Sequence, residues 1–306
     1  MELVTPLPTG TRLSDYIIGQ VLGRGGFGTT YLCEDAYLKK NFVVKEFTPH
    51  DLVTRDRSGR VSSKGLFKGS RFSKARAAFI QEAQALARFS HPNIARVVRY
   101  FEANNTAYFV MEYETGSNLR TFLTQYGKGL SDLEIEALVL PLCDGLAQLH
   151  GQGLIHRDLK PDNILIRKDG SPILIDFGAV KSHGHSTEVV FTPRYAPPEQ
   201  LSDALMQGPW TDIYALGATM YEMIQGEPPP DARIRQSHPE LAYVYPKAGT
   251  GRNATKILNL IEKCLSLEIS ERPQNTREVS NLLRNDDERL FGAILKDTSL
   301  DRKSVV

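Results

Sequence analysis

The sequence predicts an α+β protein of two lobes: a small one built on a five-stranded antiparallel sheet with one helix, and a larger, mainly helical one. Three observations carry this. Short, apolar, β-rich segments separated by turn residues crowd into residues 16–112. From about residue 117 apolar side chains recur instead at the 3.6-residue spacing of a helix. The chain of 306 residues, 41% hydrophobic and 24% charged, is long enough to bury a core in each lobe.

In order, Tyr16 to Leu22 and Thr29 to Cys33 read as the first two strands. Asn41 to Phe47 is the third and carries Phe42, Val43 and Val44 ahead of Lys45. A helix over 74–89 puts Phe79, Ala83, Leu86 and Ala87 on one apolar face. Val97 to Glu102 and Tyr108 to Glu112 then flank the turn Ala103-Asn104-Asn105. These elements make residues 16–113 the first lobe, with a hinge at 112–116. Beyond it Ile135, Leu138, Val139, Leu142, Leu146 and Leu149 keep helical period across Pro141. Ile213, Leu216, Gly217, Met220, Tyr221 and Ile224 form a second such face, and Ile257, Leu260, Ile261, Cys264 and Leu265 a third. The second lobe is expected over 117–285. Residues 1–15 are an N-terminal extension, and 286–306 a polar tail with a short helix.

A formal charge of +1 argues against general affinity for nucleic acid or acidic membrane. Cys33, Cys143 and Cys264 are scattered in apolar contexts, which suits buried free thiols in a reducing compartment. The start MELVTPLPTGTRL has no basic region followed by an apolar one, so it does not read as a secretory signal. No apolar run approaches the roughly 20 residues of a membrane span. A cytoplasmic location is the expectation.

Three motifs carry chemistry. His156 to Asn163 reads HRDLKPDN, and Asp176-Phe177-Gly178 follows the apolar Ile173, Leu174 and Ile175. This supplies Asp158 as a base for a hydroxyl, Lys160 as a cation for a phosphate, and Asn163 with Asp176 as oxygen ligands for Mg²⁺. Gly23-Arg24-Gly25-Gly26-Phe27-Gly28 fits G-x-G-x-x-G, a pattern that also opens dinucleotide-binding units by leading into a helix. Here it leads into the strand-like Thr29-Thr30-Tyr31-Leu32-Cys33, which favours a hairpin folded over ATP phosphates; a plain Gly-rich turn is the alternative.

Over about residues 16–285 these motifs resemble the protein kinase family, and within it the bacterial members of the eukaryotic-type serine/threonine kinases. The resemblance implies the bilobal protein kinase fold and ATP-dependent phosphorylation of Ser/Thr hydroxyls on protein substrates, with autophosphorylation and a signalling role. Its cofactors would be ATP and Mg²⁺, with Mn²⁺ as an alternative. It gives Lys45 the α/β-phosphates and Glu82 the positioning of Lys45. It extends the nucleotide contacts to Leu22, Gly23, Arg24, Gly25, Gly26, Phe27, Gly28, Thr29, Thr30, Val43, Met111, Glu112, Glu114 and Leu165. His156 is read as structural, stacked under Phe177. Glu199 and Arg272 are expected to form a buried ion pair, and Asp212 to cap the catalytic loop backbone. Arg157 is expected to meet a phosphate on Thr187, Ser186 or Ser182, while Thr192, which with Lys160 marks the Ser/Thr type, belongs to substrate docking.

Several positions leave the family pattern. Val43 stands where a small Ala usually roofs the adenine, Thr30 replaces a Val, and Phe191 and Arg194 replace glycines beside Thr192-Pro193. Residues 51–77 hold Arg55, Arg57, Arg60, Lys64, Lys68, Arg71, Lys74 and Arg76 against Asp51 and Asp56. A solvated basic loop is the plainer reading, and a docking surface for an acidic partner the sharper one. A pseudokinase scaffold is the competing function; it commonly lacks one of Lys45, Asp158, Asn163 and Asp176, all present here.

Overall fold

The computed structural model describes residues 4–88, 90–177, 181–182, 192–202, 205–238, 241 and 254–284. The chain divides into two compact units, 1–115 and 116–306. In the first, a six-stranded antiparallel sheet has the order β1-β2-β3-β4-β8-β7. Its strands are β1 (Arg12–Leu13), β2 (Tyr16–Gly25), β3 (Gly28–Asp35), β4 (Asn41–Phe47), β7 (Val97–Ala103) and β8 (Thr106–Glu112). The five expected strands are there. The sixth, two residues long, comes from the N-terminal extension and pairs Leu13 with Tyr16.

Side chains alternate across the sheet, so each strand feeds two layers. One face buries Tyr16, Ile18, Tyr31, Cys33, Phe42, Val44, Tyr108 and Val110 beneath Leu7 and Leu13 of the extension. Against the other packs α1 (Leu66–Leu86), through Phe72 and Phe79 on Phe47 at ring separations of 5.8 and 5.0 Å. This helix begins eight residues earlier than the predicted start at 74 and ends at 86. Phe72 and Phe79, seven residues apart, share a face and anchor the extra turns.

The basic segment is not a solvated loop. It forms the hairpin β5 (Val53–Arg55) and β6 (Val61–Ser63), followed by the first turns of α1. Arg55 has a side chain only 4% exposed, held at 2.5 Å by the fully buried Glu46. Lys64 and Lys68 donate to the carbonyls of His50 and Asp51, and Arg76 pairs with Glu102. Four of the eight cations are thus engaged inside this unit; Arg57, Arg60, Arg71 and Lys74 are exposed.

The second unit opens with β9 (Gly116–Asn118), α2 (Leu119–Tyr126) and α3 (Asp132–Gly151). Asn118 caps α2, and a Ser131/Glu134 capping box starts α3. Short strands β10 (Leu154–Ile155), β11 (Ile164–Arg167), β12 (Pro172–Leu174) and β13 (Lys181–Ser182) follow. Then come α4 (Pro209–Gln225), α5 (Ala232–Ser237), α6 (Ala254–Cys264) and α7 (Thr276–Arg284). The core lies where α3 meets α7 and α4 meets α6, with Leu142, Leu146, Leu216, Ile261 and Val279 wholly or almost wholly buried. All three cysteines are free and buried, and burial pushes the Cys33 thiol up to about 11. No described helix is long and apolar enough to cross a membrane. Phe191, Ser186, Thr187, Gly178 and the tail at 286–306 lie outside the described residues, as does the side chain of Ser182.

Candidate active site

In the first unit the Gly-rich segment closes the β2–β3 hairpin, with Gly25 opposite Gly28 around Gly26 and Phe27. A Cβ on Gly23, Gly25 or Gly26 would meet nothing within 4 Å, leaving a bare backbone edge that an anion can approach. Gly28 differs: its Cβ would fall 1.8 Å from the Glu46 carbonyl oxygen, so β3 meets β4 closely only without a side chain there. Arg24 donates to the Val4 carbonyl at 2.8 Å, and Thr29 is buried. Leu22 is exposed and Thr30 half-buried.

Lys45 lies cross-strand from Thr30 and Phe109, with its ammonium over the Phe109 ring at 5.8 Å and the residue 7% exposed. Phe109 packs 4.8 Å from Phe79 of α1. Glu82 follows Phe79 by one turn on the same helix face, half-buried. Both groups therefore belong to one aromatic layer. Val43 pairs with Leu32 and Met111, and Met111 is buried while Glu112 and Glu114 are half-buried.

In the second unit HRDLKPDN runs from β10 through a 3₁₀ turn (Pro161–Asn163) into β11. Asp158 is its focus. Lys160 Nζ donates to Asp158 Oδ2 at 2.7 Å, and Thr192 Oγ1 to Asp158 Oδ1 at 2.6 Å. The triangle closes where Lys160 Nζ donates to Thr192 Oγ1 at 2.7 Å. Asn163 Nδ2 donates to the Asp158 carbonyl and to its Oδ2, at 2.7 and 2.9 Å. Three groups thus hold the carboxylate in one orientation, with the Asp158 and Lys160 side chains each about one-fifth exposed.

The Asn163 amide hydrogens serve Asp158, which leaves its carbonyl oxygen as an acceptor. The Asn163 main chain accepts from Ile175 N at 3.0 Å, which brings Asp176, half-buried after β12, beside it. An amide oxygen and a carboxylate are hard donors of the kind Mg²⁺ takes, few per ion, with water and phosphate filling the remainder. The donor set fits that ion. Among the described residues no group of three or more His, Cys, Asp or Glu could hold a metal. Leu165, half-buried, pairs with Ile173 and Asn118.

The loop backbone is fixed from below. Asp212, fully buried on α4, accepts from His156 N at 2.7 Å, Arg157 N at 2.8 Å and His150 Nε2 at 2.8 Å. Burial alone would raise its carboxyl, but these hydrogen bonds and the neighbouring His150 outweigh it and hold the group below the usual range. Arg157 is buried with φ at +68°, and its carbonyl accepts from Gln200. His156 contacts Phe177 with ring centroids 5.3 Å apart but planes tilted 57°, not stacked. Burial depresses its imidazole pKa against the pull of Asp212, Asp158 and Asp176.

Glu199 and Arg272 form the expected pair, Nη1 to Oε1 at 2.7 Å with neither side chain exposed. One cluster was not foreseen. Arg120 on α2 binds Asp162 of the HRDLKPDN loop at 3.0 Å, Tyr195 OH at 2.8 Å and Glu222 of α4. It therefore ties the loop to the Thr192–Tyr195 segment. Sequence gave no signal, because the partners stand 42, 75 and 102 residues away.

Residues 16–283 match the family model described as the protein kinase domain. Serine/threonine-protein kinase PknA of Nostoc sp. is 32% identical over 248 residues, covering 74% of this chain and 40% of that protein. Serine/threonine-protein kinase PknB of Mycobacterium leprae is 32% identical over 234 residues, 73% of this chain and 34% of that one. The chain thus spans well under half the length of these curated relatives. A solved structure titled PpkA-294 apo form superposes with a TM-score of 0.77 at 34% identity, covering 91% of this chain and 99% of that one.

Proposed function

We propose, on the premise that this chain belongs to the protein kinase family, that it transfers the γ-phosphoryl group of ATP to serine and threonine hydroxyls of proteins. The observation that carries this is the Asp158–Lys160–Thr192–Asn163 constellation. Phosphoryl transfer asks mainly for position and charge stabilisation. A carboxylate held by Lys160, Thr192 and Asn163 can orient an acceptor hydroxyl and take its proton. Lys160 then offsets charge on the moving phosphoryl group.

Lys45 is assigned the α/β-phosphates and Glu82 the steadying of Lys45. The glycine hairpin and Leu22, Val43, Met111, Glu112, Glu114 and Leu165 are assigned the rest of the nucleotide. Asn163 and Asp176 would hold Mg²⁺, or Mn²⁺ in its place, which neutralises phosphate charge when bound. A phosphate on Thr187 or Ser186 would meet the buried Arg157 and order its surroundings; an active enzyme with no phosphate by intact mass, unchanged in rate by Thr187→Ala, excludes this. The scaffold alternative finds no support among relatives named as kinases.

Incubation with labelled ATP and Mg²⁺ tests the reading. Label should enter the protein itself or a general acceptor protein, on Ser or Thr, and Asp158→Ala should abolish it. Equal labelling by Asp158→Ala would refute the assignment.

A further inference from the structure

The protein kinase match begins at residue 16, yet residues 4–13 are built into the first unit at both of its ATP-directed elements. Leu7 and Leu13 are buried on the sheet face opposite Lys45. Gly10 N donates to the Ile18 carbonyl, Ile18 N to the Thr11 carbonyl, and Thr9 Oγ1 to the Gly19 carbonyl, so the segment runs along β2. At one end it grips the glycine hairpin, where Arg24 donates to the Val4 carbonyl at 2.8 Å.

Its other grip is a buried charge. Glu46, the residue after Lys45 and fully buried, accepts from Tyr31 OH at 2.9 Å, Tyr108 OH at 2.6 Å and Arg55 Nη2 at 2.5 Å. The segment completes that cluster from outside. Leu7 N donates to Tyr31 OH at 2.9 Å, and Arg55 Nε donates to the Thr5 carbonyl at 2.8 Å. Arg55 comes from the β5–β6 hairpin, and its side chain is buried where those of Arg57 and Arg60 are exposed. The Glu46 carbonyl is also the wall against which Gly28 closes. Successive strand residues point to opposite faces, so fixing Glu46 on one side fixes the direction of Lys45 on the other.

We propose that residues 4–13, acting through Arg24 and the Glu46–Arg55–Tyr31 cluster, are a positioning strap for the ATP-binding parts of this unit. They hold the glycine hairpin and Lys45 in one arrangement before nucleotide arrives. The proposal rests on the kinase reading above. The strap touches no substrate atom; it acts on affinity by preorganisation.

The test uses the full chain and measures the dissociation constant of Mg·ATP by titration, alongside KM for ATP, KM for acceptor protein and the thermal midpoint. Leu7→Asp puts a charge into the buried anchor and detaches the strap far from any phosphate; Leu7→Met is its conservative partner. Tyr31→Phe, a near-isosteric change outside the nucleotide residues, cuts the link between Leu7 N and Glu46. Leu7→Asp is expected to weaken Mg·ATP binding about tenfold, the worth of one charge-assisted hydrogen bond. The acceptor KM should stay unchanged, and Leu7→Met should behave as wild type. Leu7→Asp with Tyr31→Phe should be no weaker than the worse single variant, since both cut one strap. If Leu7→Asp and Tyr31→Phe remain folded and bind Mg·ATP as wild type does, the strap is overturned, whatever happens to the thermal midpoint. If the unaltered chain binds no Mg·ATP, the kinase reading falls first and the strap with it. If Leu7→Asp does not fold, wild-type affinity in Tyr31→Phe alone overturns the proposal and a weakened one supports it.

Discussion

Arg272→Met should be among the most damaging single substitutions in the second unit, and its cost can be worked from the contacts. Arg272 donates to Glu199 Oε1 at 2.7 Å and Oε2 at 3.2 Å, to the Ser266 carbonyl at 2.7 Å and to the Leu267 carbonyl at 3.2 Å. Its guanidinium lies 5.0 Å from the Tyr214 ring centre. Met fills much of the volume but leaves Glu199 buried, with Thr211 Oγ1 still donating to it at 3.0 Å. Stranding one charge of a buried pair costs about 3–5 kcal/mol, against a total of about 5–15 kcal/mol for a typical domain. Urea unfolding should therefore move its midpoint sharply down with little change in slope. Glu199→Gln should also cost, because it leaves the guanidinium charge uncompensated. The double variant should cost less than the sum of the two, by about 0.5–3 kcal/mol of coupling. Single costs below about 1 kcal/mol, or strict additivity, would refute the reasoning that this pair is desolvated and mutually dependent.

Four further outcomes follow from the same geometry. Thr192→Val removes a hydroxyl shared by Asp158 and Lys160, and kcat for phosphoryl transfer should fall about ten- to hundredfold while Thr192→Ser keeps most of it; steady-state kinetics decides. His156 has a folded-state pKa depressed by burial, so the unfolded chain takes up the proton first, and stability is present above about pH 6.5 and lost as pH falls below it, by about 1.4 kcal/mol per unit until the folded-state pKa is reached. His156→Phe should flatten urea stability measured between pH 7.5 and 5.5. Val43→Ala should tighten ATP binding, since surplus methyls in a filled site cost about 1–3 kcal/mol; equal or weaker binding in a nucleotide titration counts against it. Arg194 holds φ at +74° and donates to the carbonyls of Pro228 and Pro229. Arg194→Gly relieves about 1–2 kcal/mol of backbone cost but loses two hydrogen bonds from a cation, about 1.5–3 kcal/mol each, so urea should show net destabilisation.

How much of this could be read from the sequence depends on how far apart the partners lie. HRDLKPDN carries Asp158, Lys160 and Asn163 within eight residues, and their arrangement is local. The strands of the first unit were legible because their β-rich runs are bounded by turn residues. The start of α1 was not: Gly65, Gly69 and a run of Lys and Arg mask a helix that only Phe72 and Phe79 reveal, once Phe47 is known to lie beneath them. Strand β1 escaped because two residues carry no periodicity. Arg55 escaped for a different reason. In a basic run one cation looks like its neighbours, and nothing in the chain says that this one meets Glu46. The same holds for Arg120, whose three partners the fold alone brings together. Gly28 also makes a close backbone approach to Glu46 of the neighbouring strand, a need that the glycine motif alone does not announce.

The adjacency of Lys45 and Glu46 also bears on how β4 finds its place between β3 and β8. A slip of one residue would turn every side chain of the strand to the opposite face. For a strand of apolar residues on both sides, such as Phe42 and Val44 against Val43, that error would be cheap. Here it would drive the ammonium of Lys45 in among Tyr31, Tyr108 and the guanidinium of Arg55, and set the Glu46 carboxylate against the face of Phe109. Each misplaced charge would meet either a like charge or an unfavourable ring face. Two neighbouring ionic residues thus exclude every slip that turns the strand over, a proofreading element for folding in the middle of the sheet.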